Sequence, residues 1–226
     1  MRRIPEPELM IDNEQARIYA QADFEEAHSR FVRLFIKNFP QDAITGPVLD
    51  LGCGTADITR RFAQTFTKCQ IDGLDGAESM LRYGQLTLEK FGLTHRVHLK
   101  LGYLPEADLP IAYYKTVISN SLLHHLANPS VLWTTVKQVA QLNSPIFIMD
   151  LMRPESLTQA EIIVQQYAGS EPDRLQQDFY NSLLAAYRLD EVEAQLQKSG
   201  LDYLTVHEVS DRHFIVVGRL SQVTSF

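Results

Sequence analysis

Cysteine is scarce: only Cys53 and Cys69 occur, one between two glycines and the other opening an apolar run. Free thiols and no disulfide framework are expected. No stretch approaches the roughly 18 consecutive apolar residues that a membrane span needs. Arg2-Arg3 at the start is followed at once by Pro5, Glu6, Pro7 and Glu8, not by the apolar segment of a signal peptide. A cytoplasmic protein is the expectation. Basic charge is also in deficit, 21 Lys and Arg against 28 Asp and Glu, for a net charge of -7. That balance gives no electrostatic footprint for a phosphate backbone and argues against nucleic acid as a partner. Internal repeats and low-complexity tracts are absent as well. What is present is 226 residues, 45% of them hydrophobic, the size of one large domain able to bury a full core.

The most informative stretch is Val48-Leu49-Asp50-Leu51-Gly52-Cys53-Gly54-Thr55-Ala56-Asp57. A short apolar run meets an acid and then two glycines, which reads as a buried strand feeding a tight turn. Glycine lets a ligand approach the main chain where a Cβ would block it. Helical spacing resumes at Ile58, so the N–H groups of a first helical turn face whatever sits over the glycines. A small residue between two glycines, Cys53 is expected to be there for fit, not as a nucleophile.

The chain before this stretch has an apolar stripe at helical spacing, with Ala16, Tyr19, Ala20, Phe24, Ala27, Phe31, Leu34 and Phe35, and predicts two helices between Asn13 and Phe39. Residues 1 to 12 carry too much proline and charge for an early core element. After the glycine turn, strands and helices alternate, the signature of a parallel sheet wrapped by helices. Strands are expected at 48–51, 69–74, 97–101, 114–119 and 146–149, with helices at 55–66, about 78–91 and 129–142. Residues 154–187 read as a helical insertion broken at Gly169 and Pro172. It is either an ordinary outer helix pair or a lid over the carboxyl ends of the strands, and the lid is preferred. A helix at 189–199 and strands at 203–209 and 213–219 close the chain. With only Asp211 and Arg212 between them, those strands can pair only as an antiparallel hairpin.

Gly52-Cys53-Gly54-Thr55-Ala56-Asp57 departs from G-x-G-x-x-G at its last position, and a carboxylate there suits a pyrophosphate poorly. Asp75 ends the next strand, 23 residues after Gly52, where an acid accepts hydrogen bonds from both hydroxyls of a ribose. Asp50 could hold a cationic amine. Amine, ribose and close backbone approach together describe S-adenosylmethionine. Ile71-Asp72-Gly73-Leu74-Asp75-Gly76-Ala77-Glu78-Ser79-Met80-Leu81 and Val117-Ile118-Ser119-Asn120-Ser121-Leu122-Leu123-His124-His125-Leu126 complete the pattern. With them, residues 44 to 219 resemble the class I S-adenosylmethionine-dependent methyltransferases that act on small molecules.

The resemblance implies an α/β fold: a Rossmann-like seven-stranded, mostly parallel sheet with an antiparallel last strand and helices on both faces. It also implies one domain over 1–226, with an N-terminal helical cap over 1–43 and a cofactor-binding half over 44–153. A helical lid over 154–187 and a final helix and hairpin over 188–226 complete it. It implies Asp50, Gly52 and Gly54 at the methionine end, Asp75 at the ribose, Gly76 and Met80 beside the adenine, and Asn120 and Ser121 near the transferred methyl. Cys53 and His125 fall within the same candidate cofactor set. Many members follow the third strand with Gly-Asp-Ala, whose acid binds the adenine amine. Gly102 is followed here by Tyr103 and Leu104, so the adenine falls to the backbone of Leu104 or to Asp108.

For a hydroxyl or carbon acceptor the protein must also remove a proton. Neighbours on a helix point about 100° apart, so at most one of His124 and His125 faces the substrate. His124 is the preferred base; the alternative is a buried imidazole that fixes the loop. Asp150 and Arg153 after the fifth strand either orient the substrate or form a salt bridge tying down the lid. No metal is expected. The leading function is methyl transfer to oxygen, nitrogen or carbon of a small molecule; the alternative is a non-catalytic relative acting through a partner. A nicotinamide oxidoreductase is disfavoured by Asp57 and the hairpin. A nucleic-acid methyltransferase is disfavoured by charge and by Asn120-Ser121-Leu122-Leu123 where Asn-Pro-Pro-Tyr would stand. The acceptor and the oligomeric state are not legible.

Overall fold

A computed structural model describes residues 1–6 and 12–221. The apolar runs form strands β1 (Gly46–Leu51), β2 (Cys69–Asp75), β3 (Val97–Leu101), β4 (Thr116–Asn120), β5 (Pro145–Leu151), β6 (Thr205–Ser210) and β7 (His213–Arg219). Between and before them lie helices α1 (Asn13–Gln21), α2 (Glu25–Asn38), α3 (Asp57–Thr65) and α4 (Glu78–Lys90). Later in the chain come α5 (Ser130–Val139), α6 (Leu157–Ala168), α7 (Asp173–Ala185) and α8 (Leu189–Lys198). Among the described residues, no helix is long and apolar enough to cross a membrane.

The seven strands make one sheet in the order β3-β2-β1-β4-β5-β7-β6. Pairings from β3 through β5 are parallel, and β7 runs antiparallel to both of its neighbours. The reversed last strand is therefore second from the edge, and β6 takes the edge itself. Burial explains the placement. Residues His213 to Val217 of β7 are all buried, whereas β6, Thr-Val-His-Glu-Val-Ser, has no buried position. A strand with polar side chains can face water along its open edge; one that is apolar throughout cannot.

Successive side chains along the strands feed two cores, one on each face. Leu49, Leu51, Val117, Ile146, Ile148, Phe214 and Val216 pack with Trp133 and Val136 of α5 and with Val192 and Leu196 of α8. Val48, Ile71, Ile118, Phe147, Ile215 and Val217 meet Phe31 and Phe35 of α2 and Phe62 of α3. The ring of Phe147 makes edge contacts with Phe31 and Phe35 at centroid distances of 5.0 and 5.6 Å.

Most element boundaries agree with the sequence pattern. The fourth strand starts at Thr116, not Tyr114, because Tyr114 turns aside to form a lone bridge with Ala140 and donates its hydroxyl to Asp72 Oδ2 at 2.8 Å. That bridge also ends α5 at Val139. The break at Gly169 and Pro172 separates α6 from α7. Residues 1–6 form no helix or strand, yet they cross the fold as a strap. Ile4 N–H donates to the Leu184 carbonyl at 3.0 Å, and Arg3 Nη2 donates to the His124 carbonyl at 2.8 Å. The Arg3 guanidinium also sits 4.2 Å from the Tyr187 ring centroid. Pro7 and Glu8, with the rest of residues 7–11, lie outside the described residues.

Because β1 pairs with β2 on one side and β4 on the other, the chain leaves β1 and β4 in opposite directions. A crevice opens there, at the carboxyl ends of the strands.

Candidate functional site

Gly52 follows β1 with φ of +74°, and a Cβ built on it would stand 2.9 Å from Leu122 Cβ. No other residue type meets both demands without displacing the chain that follows β4. Asp75 at the end of β2 accepts from the Gly54 N–H at 2.8 Å through Oδ2 and from the Ala77 N–H at 2.8 Å through Oδ1. One carboxylate thus ties the corner after β1 to the corner after β2. Burial pushes the Asp75 carboxyl up, with the two N–H donors opposing it. Above these corners is a hollow of about 400 Å³, the volume range of small-molecule sites. Gly52, Gly54, Asp75, Gly76, Met80, Leu104, Asn120, Ser121, His124 and His125 all line it. Ser121 is held in the left-handed region at φ of 56°, its N–H donating to the Met149 carbonyl and its Oγ accepting from Asn120 Nδ2. A non-glycine residue in that conformation is strained, and its neighbours hold it there.

Four expected site residues stand elsewhere. Asp50 and Cys53 line a smaller adjoining hollow that shares Gly52, Gly54 and Asn120 with the first. Asp50 is 1% exposed and accepts from Thr59 Oγ1 at 2.6 Å; burial, opposed by that bond and helped by the charge of Asp75, pushes its carboxyl up to about 7. Cys53 packs towards β2, with Sγ 2.9 Å from where a Cβ on Gly73 would be. Burial pushes its thiol well up, so it stays neutral and fills space. Asp150 and Arg153 line neither hollow. Arg153 donates to Glu191 Oε1 at 2.6 Å and to the Ala186 carbonyl at 3.2 Å, so it joins the chain after β5 to α8 and to the end of α7. Of its two expected roles the structure gives it the salt bridge, and gives it to α8. Asp108, the alternative to Leu104, is not on the wall of the hollow either.

Asp150 instead reaches the site through His124. Its Oδ2 accepts from the Leu123 N–H at 2.7 Å, and its Oδ1 accepts from the Leu151 N–H at 2.7 Å and lies 2.5 Å from His124 Nδ1. Both residues are buried, at 1% and 2% exposure. Burial pushes the His124 imidazole down, but the charge and hydrogen bond of Asp150 outweigh it and leave the ring above its ordinary value. With Nδ1 committed to Asp150, Nε2 is the edge left for other partners. It lies 3.5 Å from Glu6 Oε1 on the strap, and His125 Nδ1 lies 3.3 Å from the same oxygen. Glu6, His124 and His125 are also the one group of three or more metal-ligating side chains found together among the described residues.

Residues 48–145 match a family model described as a methyltransferase domain. An Aquifex aeolicus S-adenosylmethionine-dependent methyltransferase is 19% identical with a TM-score of 0.64, over 90% of this chain and 96% of its own. A Methanococcus maripaludis protein assigned to the same activity is 12% identical with a TM-score of 0.72, over 98% and 100%. Phosphoethanolamine N-methyltransferase 2 of Haemonchus contortus, in complex with S-adenosyl-L-methionine, is 14% identical with a TM-score of 0.64, over 86% of this chain and 43% of its own. Residues 48–145 thus carry a methyltransferase domain, on a fold shared with S-adenosylmethionine-dependent methyltransferases. No curated protein sequence matches the chain.

The protein closes its hollow with parts that the motifs do not mark. Tyr19 and Phe24 on the N-terminal helices line it, with ring centroids 4.7 Å apart, and Phe24 stacks on His28 at 5.0 Å. Burial pushes the Tyr19 hydroxyl up to about 12, so it is a fixed donor. These helices are held by Asp57, the residue where a dinucleotide motif has its third glycine. Its carboxylate lies 2.8 Å from His28 Nδ1 and accepts from Arg60 Nε at 3.0 Å and Arg61 Nε at 2.7 Å. Burial raises that carboxyl, but the bonds from His28, Arg61 and Arg60 hold it well below the usual carboxylate range. The opposite wall comes from α6 and α7, through Tyr167, Ala168, Leu175, Asp178, Phe179 and Ser182, and from Arg212 at the hairpin turn. The insertion therefore stands over the strand ends, as a lid would. Glu6 and Arg212 carry no signal in sequence, since one lies in a proline-rich tail and the other in a two-residue turn.

Proposed function

We propose that the methyltransferase transfers its methyl group to a hydroxyl oxygen of a small molecule, with His124 as general base and Asp150 as the residue that positions it. The observation that carries this reading is the buried Asp150–His124 pair, whose Nδ1 contact leaves Nε2 for the acceptor, with His124 lining the same hollow as Asp75 and the glycine corner. S-adenosylmethionine supplies a methyl group that its sulfonium already activates. Asp75 would accept from the ribose hydroxyls, since each of its oxygens spends one interaction on a backbone N–H and keeps another lone pair. Asp50, buried and raised, would bind the cationic amine and be favoured as an anion by it.

His124 Nε2 would take the hydroxyl proton as the oxygen–methyl bond forms. Asp150 fixes the tautomer that leaves Nε2 able to accept, and its charge stabilises the imidazolium that results. The apolar wall of Met149, Leu151, Leu175 and Phe179 excludes water, which would compete for the methyl group. Among the proteins sharing this fold is a Nostoc punctiforme chain assigned as an O-methyltransferase, which supports the oxygen acceptor.

Release of S-adenosylhomocysteine across a library of hydroxylated metabolites tests this. We expect turnover with at least one such compound, reduced by roughly 10²–10⁴-fold in His124→Ala, while S-adenosylhomocysteine still binds. Unchanged turnover in that variant would remove His124 from the mechanism. Retained binding in Asp75→Ala would remove the ribose assignment.

A further inference from the structure

The methyl-transfer chemistry above leaves one cation of the hollow unused. Arg212 is 8% exposed and lines the hollow. Its place follows from the register of two strands. β5 and β7 pair Leu151 with His213 and Asp150 with Phe214, and Met152 N–H donates to the Arg212 carbonyl at 2.7 Å. Arg212 thus sits one step beyond the ladder, on the strand next to the one that carries Asp150. Neighbouring strands lie about 4.8 Å apart, so Arg212 ends the strand next to that of Asp150, and it lines the same hollow as His124, which Asp150 holds.

The guanidinium is pre-set. Its central carbon stands 3.1 Å from the ring centroid of Tyr167. Asp211 accepts from Arg212 Nη1 at 2.8 Å through Oδ1 and from the Tyr167 hydroxyl at 2.9 Å through Oδ2, so one carboxylate locks both the ring and the cation over it. Among the described residues, neither Nε nor Nη2 of Arg212 donates a hydrogen bond to a partner within the chain. A guanidinium drawn this far from water with two donors in one plane is matched by two acceptor oxygens on one group. Two other ionisable groups near it do not supply them. His213 is neutral, its imidazole pushed down to about 3 by burial and by the charge of Arg212, and Asp178 across the hollow already accepts from Gln15 and Arg174.

We propose that Arg212 anchors the acceptor: the small molecule to be methylated carries a carboxylate or a phosphate, which the Nε and Nη2 edge of Arg212 grips while a hydroxyl reaches His124. This rests on the hydroxyl-acceptor reading and narrows it to an anionic substrate.

The test is calorimetric titration of the whole chain, bare and saturated with S-adenosylhomocysteine, with benzoate, phenyl phosphate and benzamide. We expect at least one anion to bind about tenfold or more tightly than benzamide. Arg212→Gln should lose that advantage, and Arg212→Lys should keep part of it for phenyl phosphate only. Which anion binds better names the group that the acceptor carries. Unchanged S-adenosylhomocysteine affinity in Arg212→Gln shows that the variant is folded. Benzamide matching both anions, or Arg212→Gln binding them as the parent does, overturns the proposal. Loss of S-adenosylhomocysteine binding with the anion preference intact would instead sink the methyltransfer reading and leave the anion site standing.

Discussion

Asp150 acts on His124 by charge, and charge fixes the direction of two pH effects. A histidine whose ring is held above its ordinary value is protonated at rest over more of the neutral range, and it accepts a proton only once neutral. The kcat/KM for methyl transfer should therefore rise with pH along a limb whose midpoint lies above the ordinary histidine value of about 6.5. In Asp150→Asn the larger of the raising charges is gone and burial outweighs what Glu6 still supplies, so the midpoint should move to lower pH as kcat falls; a pH–rate profile of both proteins checks this, and an unmoved midpoint would argue against the pair. Asp50 has the opposite sign. Its carboxyl is ordinary when unfolded and is raised to about 7 by burial when folded, so between those values the native state holds the extra proton. Stability from this group is thus lost as pH rises through that window, and Asp50→Asn should flatten the trend. An ammonium seated beside Asp50 would reverse the shift, so S-adenosylmethionine binding near pH 6 should release close to one proton. Titrations in buffers of differing ionisation enthalpy would read it, and no release would place the amine elsewhere.

Between elements, Asp57 joins α2 to the start of α3, and Arg61 extends the joint by donating from Nη1 and Nη2 to the two Glu25 oxygens at 2.7 Å each. Replacing Asp57 by Ala leaves His28, Arg60 and Arg61 facing one another across a partly buried joint, at a cost of about 1–3 kcal/mol once solvent screening is allowed for. Amide exchange in α1 and α2 should accelerate while the strands stay protected, and S-adenosylhomocysteine should bind more weakly as the Tyr19 and Phe24 wall loosens. Unaltered exchange in α2 would mean that its apolar face, Phe31 and Phe35, holds it alone. The same joint shows where sequence reading stops. The central strands were legible because they are apolar on both faces, and the glycine corner because Gly52 answers a backbone demand. Asp57 was visible only as a missing glycine; its partner His28, 29 residues away, was not, and neither was Glu25, which Arg61 reaches 36 residues back. The strap was read as a tail for the same reason, since Arg3 finds carbonyls 121 and 182 residues distant. Arg153 had the right chemistry with the wrong partner in view. Local periodicity reports what a segment buries, and it is silent on which remote polar group completes it.

At the level of the whole molecule, the hollow draws on the ends of β1, β2 and β4, on the first helices and on the α6–α7 pair, so a ligand filling it touches all of these elements at once. Binding to the native state alone stabilises it by about 2.7 kcal/mol at a hundred times the dissociation constant. For a domain of this length each kcal/mol moves the melting temperature by roughly 2–4 °C, so S-adenosylhomocysteine at that excess should raise it by about 5–10 °C. Asp75→Ala should abolish most of the rise, because it unties the two corners as well as the ribose contact. NAD should produce none, since Asp57 stands where a pyrophosphate would need a bare backbone. Thermal unfolding followed by tryptophan fluorescence reports on this directly: Trp133 is fully buried in the core beneath the opposite face of the sheet, and its indole N–H donates to Gln195 at 3.0 Å, so its signal changes only when the whole fold opens. A comparable rise with NAD would return the dinucleotide reading to favour, and no rise with S-adenosylhomocysteine would mean that the corner grips something other than an adenosyl group.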